Sequence, residues 1–158
     1  MSELSLFTHV SETVTTNDYY TPKWLFDAIG LEFDIDVAAP EHGIPWIPAK
    51  RWFSQADDGL AQDWDGLVWM NPPYSNVTPW VRKFVAHGNG MAVVPIARSK
   101  WLMEIWNLPN AALMPTYTDL KFETPNGNAK TISYQTLLIA MGDVAISALH
   151  NMKLGRVR

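Results

Sequence analysis

The run Leu67-Val68-Trp69-Met70 is apolar without alternation and ends abruptly at Asn71-Pro72-Pro73-Tyr74. A helix against a core spaces its apolar residues by three and four, and a half-exposed strand alternates them. A short unbroken run bounded by turn residues therefore reads as a strand covered on both faces. Met91-Ala92-Val93-Val94-Pro95-Ile96 repeats the pattern. Strands of this kind need helices on both sides, which restricts the chain to an open α/β sheet.

The rest of the chain supplies those helices. Thr21-Pro22 opens a helix over Lys23 to Ile29, with Thr21 as N-cap, Pro22 at the first helical position and Gly30 as the stop. A short strand follows in Phe33-Asp34-Ile35-Asp36-Val37-Ala38-Ala39 and is terminated by Pro40. Lys50 to Ser54 reads as a second strand and Leu60 to Trp64 as a third, with Leu67 to Met70 the fourth. Thr78 to His87 carries Trp80, Val81, Phe84 and Val85 on one side and stops at Gly88. Met91 to Ile96 is the fifth strand. Ser99 caps a helix reaching Asn107, Ala111 to Met114 and Asp119 to Phe122 are short extended pieces, and Pro125 to Asn128 is a turn. Ile132 to Met141 is the last strand. The expected architecture is a mostly parallel sheet with an antiparallel hairpin at one edge. Residues 1–17 form an N-terminal arm, 18–142 one domain, and 143–158 a basic extension packed on it or trailing it.

Composition narrows the function. A hydrophobic fraction of 47% with 18% charged residues is that of a globular protein. No apolar run reaches the roughly 18 residues that span a bilayer, and the first residues lack the basic and apolar regions of a secretory signal, so no membrane partner is expected. The absence of cysteine excludes disulfides, thiolate metal sites and a cysteine nucleophile, and suits a cytoplasmic protein. His9, His42, His87 and His150 show no ligand spacing, so no metal site is expected. The net charge of −4 is unevenly spread. Residues 1–66 hold 12 acidic and 3 basic side chains, and residues 67–158 hold 4 and 9, so a polyanion would be met by the second half.

In an open α/β sheet, ligands sit at the carboxyl ends of the strands. Asp36, Asp63 and Asn71 fall at such ends in the expected layout, and Ala38 and Ala39 are small enough to let a ligand approach the backbone. Pro72 and Pro73 have no N–H and stiffen the turn. The Pro72 carbonyl and the Asn71 side-chain oxygen are then two acceptors held close together, a match for the two hydrogens of an –NH2 group. The Tyr74 ring could stack on a planar system bearing that group. Binding both hydrogens while leaving the lone pair free makes a conjugated amino nitrogen a better nucleophile.

This constellation resembles the amino-methyltransferases that carry an Asn/Asp-Pro-Pro-Tyr/Phe motif and use S-adenosylmethionine. The series Thr21-Pro22-Lys23-Trp24-Leu25-Phe26, Asp34-Ile35-Asp36-Val37-Ala38-Ala39, Asp57-Asp58-Gly59-Leu60-Ala61-Gln62-Asp63-Trp64 and Trp69-Met70-Asn71-Pro72-Pro73-Tyr74 is similar to the phage-type DNA N6-adenine methyltransferases, the short Dam family. The likeness covers about residues 18 to 141. It implies a Rossmann-like fold, S-adenosylmethionine as methyl donor and adenine N6 in DNA as acceptor, in a phage- or prophage-encoded protein of the bacterial cytoplasm. It implies a catalytic pocket of Asn71, Pro72, Pro73 and Tyr74. The cofactor would lie against Asp36, Ala38, Ala39 and Asn71, with Asp63 facing its adenine and Thr21 and Pro22 near its methionine end. The stretch after the first strand departs from the Gly-rich loop of many such enzymes: it reads Asp36-Val37-Ala38-Ala39-Pro40-Glu41-His42-Gly43, with one late glycine. Glu41, Asp57 and Asp58 are candidates for the ribose.

Asn-Pro-Pro-Tyr also serves methylation of cytosine N4, of RNA adenine and of a protein glutamine amide, and a non-catalytic relative could bind DNA or the cofactor alone. DNA phosphates would be met by Arg98 and Lys100, and by Arg82 and Lys83. No long insertion adds a recognition domain, which leaves shallow specificity or a homodimer to supply the rest. Each phosphate neutralised changes the log–log salt slope of DNA affinity by about −0.9. Changing Arg98 and Lys100 together to alanine is expected to make the slope shallower by about 1 to 2. A salt titration of both proteins checks this, and identical slopes would remove the pair from the interface.

Overall fold

The computed structural model describes residues 19–96, 99–116, 121–125, 127, 129–131, 135–154 and 157–158. The expected N-terminal arm at 1–17 lies outside them, as does Arg98. The elements in chain order are α1 (Lys23–Ile29), β1 (Ile35–Asp36), β2 (Val68–Met70), α2 (Val77–His87), β3 (Gly90–Pro95), α3 (Lys100–Trp106), β4 (Ala111–Pro115), β5 (Lys121–Glu123), β6 (Ala129–Thr131), β7 (Thr136–Met141) and α4 (Asp143–Asn151). No helix among the described residues is long and apolar enough to cross a membrane.

The apolar runs are buried strands, as their composition requires. Every residue of β2, β3 and β7 is buried. Successive side chains point to opposite faces, and the core divides accordingly. Trp69, Met91 and Val93 pack on one side with Phe26 and Ile29 of α1 and Ala145 and Leu149 of α4. Val68, Met70, Ala92 and Val94 pack on the other with Val81 and Phe84 of α2 and Trp101 and Ile105 of α3. The result is three layers, helix pair on sheet on helix pair.

Sheet order corrects the sequence expectation. Five strands run β1-β2-β3-β7-β4, and β5 pairs with β6 in a separate two-stranded ribbon. β1–β2 and β2–β3 are parallel, whereas β3–β7 and β4–β7 are antiparallel, so the sheet is mixed rather than mostly parallel. β7 is inserted between β3 and β4 instead of closing an edge hairpin. Its sequence, TLLIAM, apolar after Thr136, suits that position, because an inserted strand has neighbours on both sides and helices on both faces.

Three further expectations change. Residues 60–64 contain no strand; they form turns closed by the Ala61 N–H to Asp58 carbonyl bond, 2.9 Å. The stretch 48–53 is not a full strand, but runs parallel to 33–39 through bridges Phe33↔Ala49 and Asp36↔Trp52. Beyond Gly142 the chain continues as α4, which buries Ala145, Ala148 and Leu149. At α1, Pro22 is the capping residue and Thr21 lies inside the protein. Gly30 and Gly88 do end α1 and α2 in the left-handed conformation, φ 68° and 72°, as their sequence positions predict.

Gly90 sits where β3 passes closest to β2. Its φ is 155°, and a β-carbon there would overlap the Val68 carbonyl oxygen and lie 2.6 Å from Val68 Cγ2. Both neighbours are fixed in the sheet. Gly90→Ala is therefore expected to destabilise the fold by about 2 kcal/mol or more. Urea denaturation checks this, and a loss below about 0.5 kcal/mol would mean that the β2–β3 approach is easily widened.

Candidate functional site

Parallel pairing sets the positions of the first two polar groups. Ile35 pairs with Val68 and Asp36 with Trp69, so β1 and β2 end side by side. Asp36 is the last residue of β1, and Asn71 is the first beyond β2. Both open onto one cavity of ≈ 770 Å³ at this end of the sheet. That lies in the size range of small-molecule sites, about 300–1,000 Å³.

Asp36 is only 3% exposed. Its Oδ1 accepts the Ala38 N–H at 3.1 Å, and no cation pairs with it among the described residues. Burial pushes its carboxyl up to about 7, although the Ala38 bond pulls the other way. A buried carboxylate without a cation is expensive and marks a candidate binding group. Ala38 and Ala39 line the same space, so the backbone beyond β1 is accessible to a ligand.

Asn71 is held from behind. Its Nδ2 donates to the Tyr19 carbonyl at 2.9 Å and to Thr21 Oγ1 at 3.3 Å. The nitrogen end is committed, which leaves Oδ1 to accept. Pro73 lines the cavity beside Asn71, and Pro72 is buried next to it. Neither Pro72 nor Tyr74 lines the cavity; Tyr74 is half-buried, with its ring edge-on to Phe122 at 6.3 Å and 81°. Its hydroxyl is buried without a partner among the described residues, and burial raises its pKa.

Thr21 and Pro22 are both buried, and neither lines the cavity. Asp63 is exposed and also off the cavity lining. The loop before it contributes instead. Asp58 and Gly59 line the space, as does Glu41 from the loop after β1. Asp57 turns away: its Oδ2 accepts the Ser54 N–H at 2.8 Å and the Ser54 hydroxyl at 3.0 Å, which holds its carboxyl below the usual range. Gly59 has a steric reason, since a β-carbon there would overlap the Val37 carbonyl oxygen.

Lys83, expected to meet phosphate, is an internal staple. Its Nζ donates to the Leu60 carbonyl at 2.8 Å and to the Gln62 carbonyl, and lies 5.1 Å from the Trp64 ring centroid. With Trp64 Nε1 donating to the Gly59 carbonyl at 2.8 Å, it pins the loop that carries Asp58 and Gly59. Arg82 lies 3.8 Å from Glu104 in an exposed pair, and such pairs are weak. Lys100 is exposed at the start of α3.

Sequence reasoning missed Tyr19, Tyr20 and Trp80, all of which line the cavity. Tyr20 exchanges two backbone hydrogen bonds with Glu123, 2.7 and 2.8 Å, which lays the segment before α1 against the β5–β6 ribbon. The signal available in the sequence was the Tyr19-Tyr20 pair directly before Thr21-Pro22.

Two comparisons with known proteins bear on this site. Residues 9–101 match the model of a family described as DNA N-6-adenine-methyltransferase (Dam), a stretch that contains both Asp36 and Asn71. Over 71 residues the chain is 35% identical to a DNA N-6-adenine-methyltransferase of Haemophilus phage HP1 (strain HP1c1), covering 42% of this chain and 39% of that protein. The match thus spans well under half the length of that relative.

Asp36 makes stability pH-dependent in a definite direction. Its folded pKa, about 7, is above the ordinary carboxyl value of 3.8, so the folded state holds the proton longer. The stability it contributes is complete below about pH 4 and is lost as pH rises through 7. Asp36→Asn is expected to abolish that loss, so that the variant gains on the wild type between pH 4 and 7.5. Thermal melts across that range measure it; parallel curves would place Asp36 in contact with water or a cation.

Proposed function

This chain belongs to the DNA N-6-adenine-methyltransferase (Dam) family, and from that premise we propose that it transfers a methyl group from S-adenosylmethionine to the N6 amino group of adenine in DNA. One observation carries the reading. A buried carboxylate without a cation and an amide whose nitrogen is already occupied face the same cavity from adjacent strand ends.

The residues present fit the cofactor. The donor set is acidic and the walls are apolar: Asp36, Glu41 and Asp58 suit hydroxyls and a cationic group, while Ile44, Ile47 and Trp80 suit a planar ring. S-adenosylmethionine would supply a methyl group on a sulfonium, an electrophile that needs no activation by the protein. Parallel strands that end together at the cavity support a Rossmann-like assignment for this half of the sheet.

The chain's part is to prepare the nucleophile. Asn71 Oδ1 and the Pro72 carbonyl accept the two amino hydrogens of the target base, leaving the nitrogen lone pair directed away from both. Tyr74 stacks on the base and fixes its plane. The two acceptors act on charge that develops on the nitrogen during transfer, so their effect falls on the transition state. A base in duplex DNA has to leave the stack to reach them, at a cost of a few kcal/mol. Lys100 is an exposed cation near the start of α3 and Arg82 an exposed one held near Glu104; these, with Arg98, are the cations proposed to meet phosphate.

Methyl transfer from labelled S-adenosylmethionine to unmethylated DNA, followed by nucleoside analysis, tests the reading. Label in N6-methyladenine is expected; label in N4-methylcytosine, in RNA or in protein would reassign the substrate. Asn71→Ala is expected to lower kcat at least tenfold, a loss of about 1.4 kcal/mol or more of transition-state stabilisation. Its affinity for S-adenosylmethionine, measured by calorimetry, should stay within about threefold. A variant retaining most of kcat would remove Asn71 from the role assigned.

A further inference from the structure

We propose that Thr21 is a positioning residue: the Tyr19 carbonyl selects which end of the Asn71 amide turns inward, and the Thr21 hydroxyl holds the amide in that orientation so that Oδ1 meets the substrate. The inference deepens the reading of Asn71 given above and rests on it. Thr21 is fully buried and off the cavity lining, so its hydroxyl acts on Asn71 and not on a bound ligand.

The two ends of a side-chain amide have nearly the same shape and opposite hydrogen-bonding character. Only the oxygen can accept from an amino group. A half-turn of the amide would set –NH2 against –NH2 and leave the nucleophile unprepared. The Tyr19 carbonyl forbids that turn, and the Thr21 hydroxyl, which can donate or accept, restrains the amide in the orientation the carbonyl selects. Nδ2 faces the Tyr19 carbonyl at 2.9 Å and Thr21 Oγ1 at 3.3 Å, and a flipped Oδ1 would meet the carbonyl, an acceptor with no hydrogen to give.

These acceptors are themselves fixed. The Thr21 carbonyl accepts the Trp46 indole N–H at 2.8 Å, and Tyr20 is laddered to Glu123. The Tyr19 ring packs 6.2 Å from Phe122. A segment fifty residues upstream of Asn71 thus orients its amide before any ligand arrives, which is how a preorganised site avoids reorganising during reaction.

The test uses Thr21→Val, which keeps shape and removes the acceptor, and Thr21→Ser, which restores it. In ¹⁵N-labelled protein without ligand, the Asn71 side-chain amide signals are identified by their loss in Asn71→Ala. Hydrogen exchange of those signals is expected to quicken about fivefold or more in Thr21→Val and to return toward wild type in Thr21→Ser. With saturating cofactor, kcat should fall about tenfold in Thr21→Val and recover in Thr21→Ser, while the cofactor Kd stays within threefold. Unchanged exchange in Thr21→Val overturns the proposal. So does a weakened cofactor Kd with kcat retained, which would make Thr21 a cofactor contact. If Thr21→Val does not fold, Thr21→Ala against Thr21→Ser gives the same comparison. A wild-type protein that methylates no substrate would defeat the functional reading, while the exchange measurement would still decide the hydrogen bond.

Discussion

The parallel register between β1 and β2 is the constraint on which the site depends. Asp36 pairs with Trp69, so the chain leaves both strands at the same level and on the same side of the sheet. Parallel strands cannot be joined by a tight turn. The long connection between them, residues 37–67, has to travel away and return, and it lines the cavity with Glu41, Asp58 and Gly59 as it does so. One strand further on, the β2–β3 register sets Gly90 against Val68, where the backbones approach closely.

A second layer of organisation comes from side chains that join distant backbone. Lys83 on α2 gathers the carbonyls of Leu60 and Gln62, and Trp64 reaches back to Gly59. Trp46 holds the Thr21 carbonyl. In each case a polar group reaches into a loop that has no regular hydrogen-bond ladder of its own. Buried carbonyls require donors, and here the donors that satisfy them also fix the cavity walls. The apolar sheet supplies rigidity, and these few polar links supply shape.

Charge follows a different logic. The excess of basic residues in the second half of the chain is real in sequence, but the fold divides its members by use. Lys83 is absorbed by carbonyls, Arg82 stands beside Glu104, and Lys100 remains exposed. A count of cations therefore overstates what is available to a polyanion. On the acidic side Asp57 is spent on Ser54, while Asp58, its neighbour, faces the cavity.

The sequence by itself determined what depends on local chemistry. Short unbroken apolar runs bounded by turn residues pointed to strands covered on both faces, because four to six residues are too few for a buried helix. Gly30 and Gly88 had to end their helices, because a left-handed residue without a β-carbon is the least strained stop. Pro72 and Pro73 had to stiffen the turn after β2, because their rings fix φ and they carry no N–H. Asp36, Ala38, Ala39, Asn71 and Pro73 could be picked out as neighbours, because strand ends in an open sheet converge. Tertiary structure alone decided the rest. The choice of β3 and β4 as partners for β7 depends on pairing energies between segments far apart in the chain, and an apolar strand carries no mark of its neighbours. The chain could not reveal that Thr21 serves Asn71, that Lys83 points inward, or that Asp58 rather than Asp63 reaches the cavity. Each depends on where a side chain ends in space, and contacts spanning twenty to fifty residues set that direction.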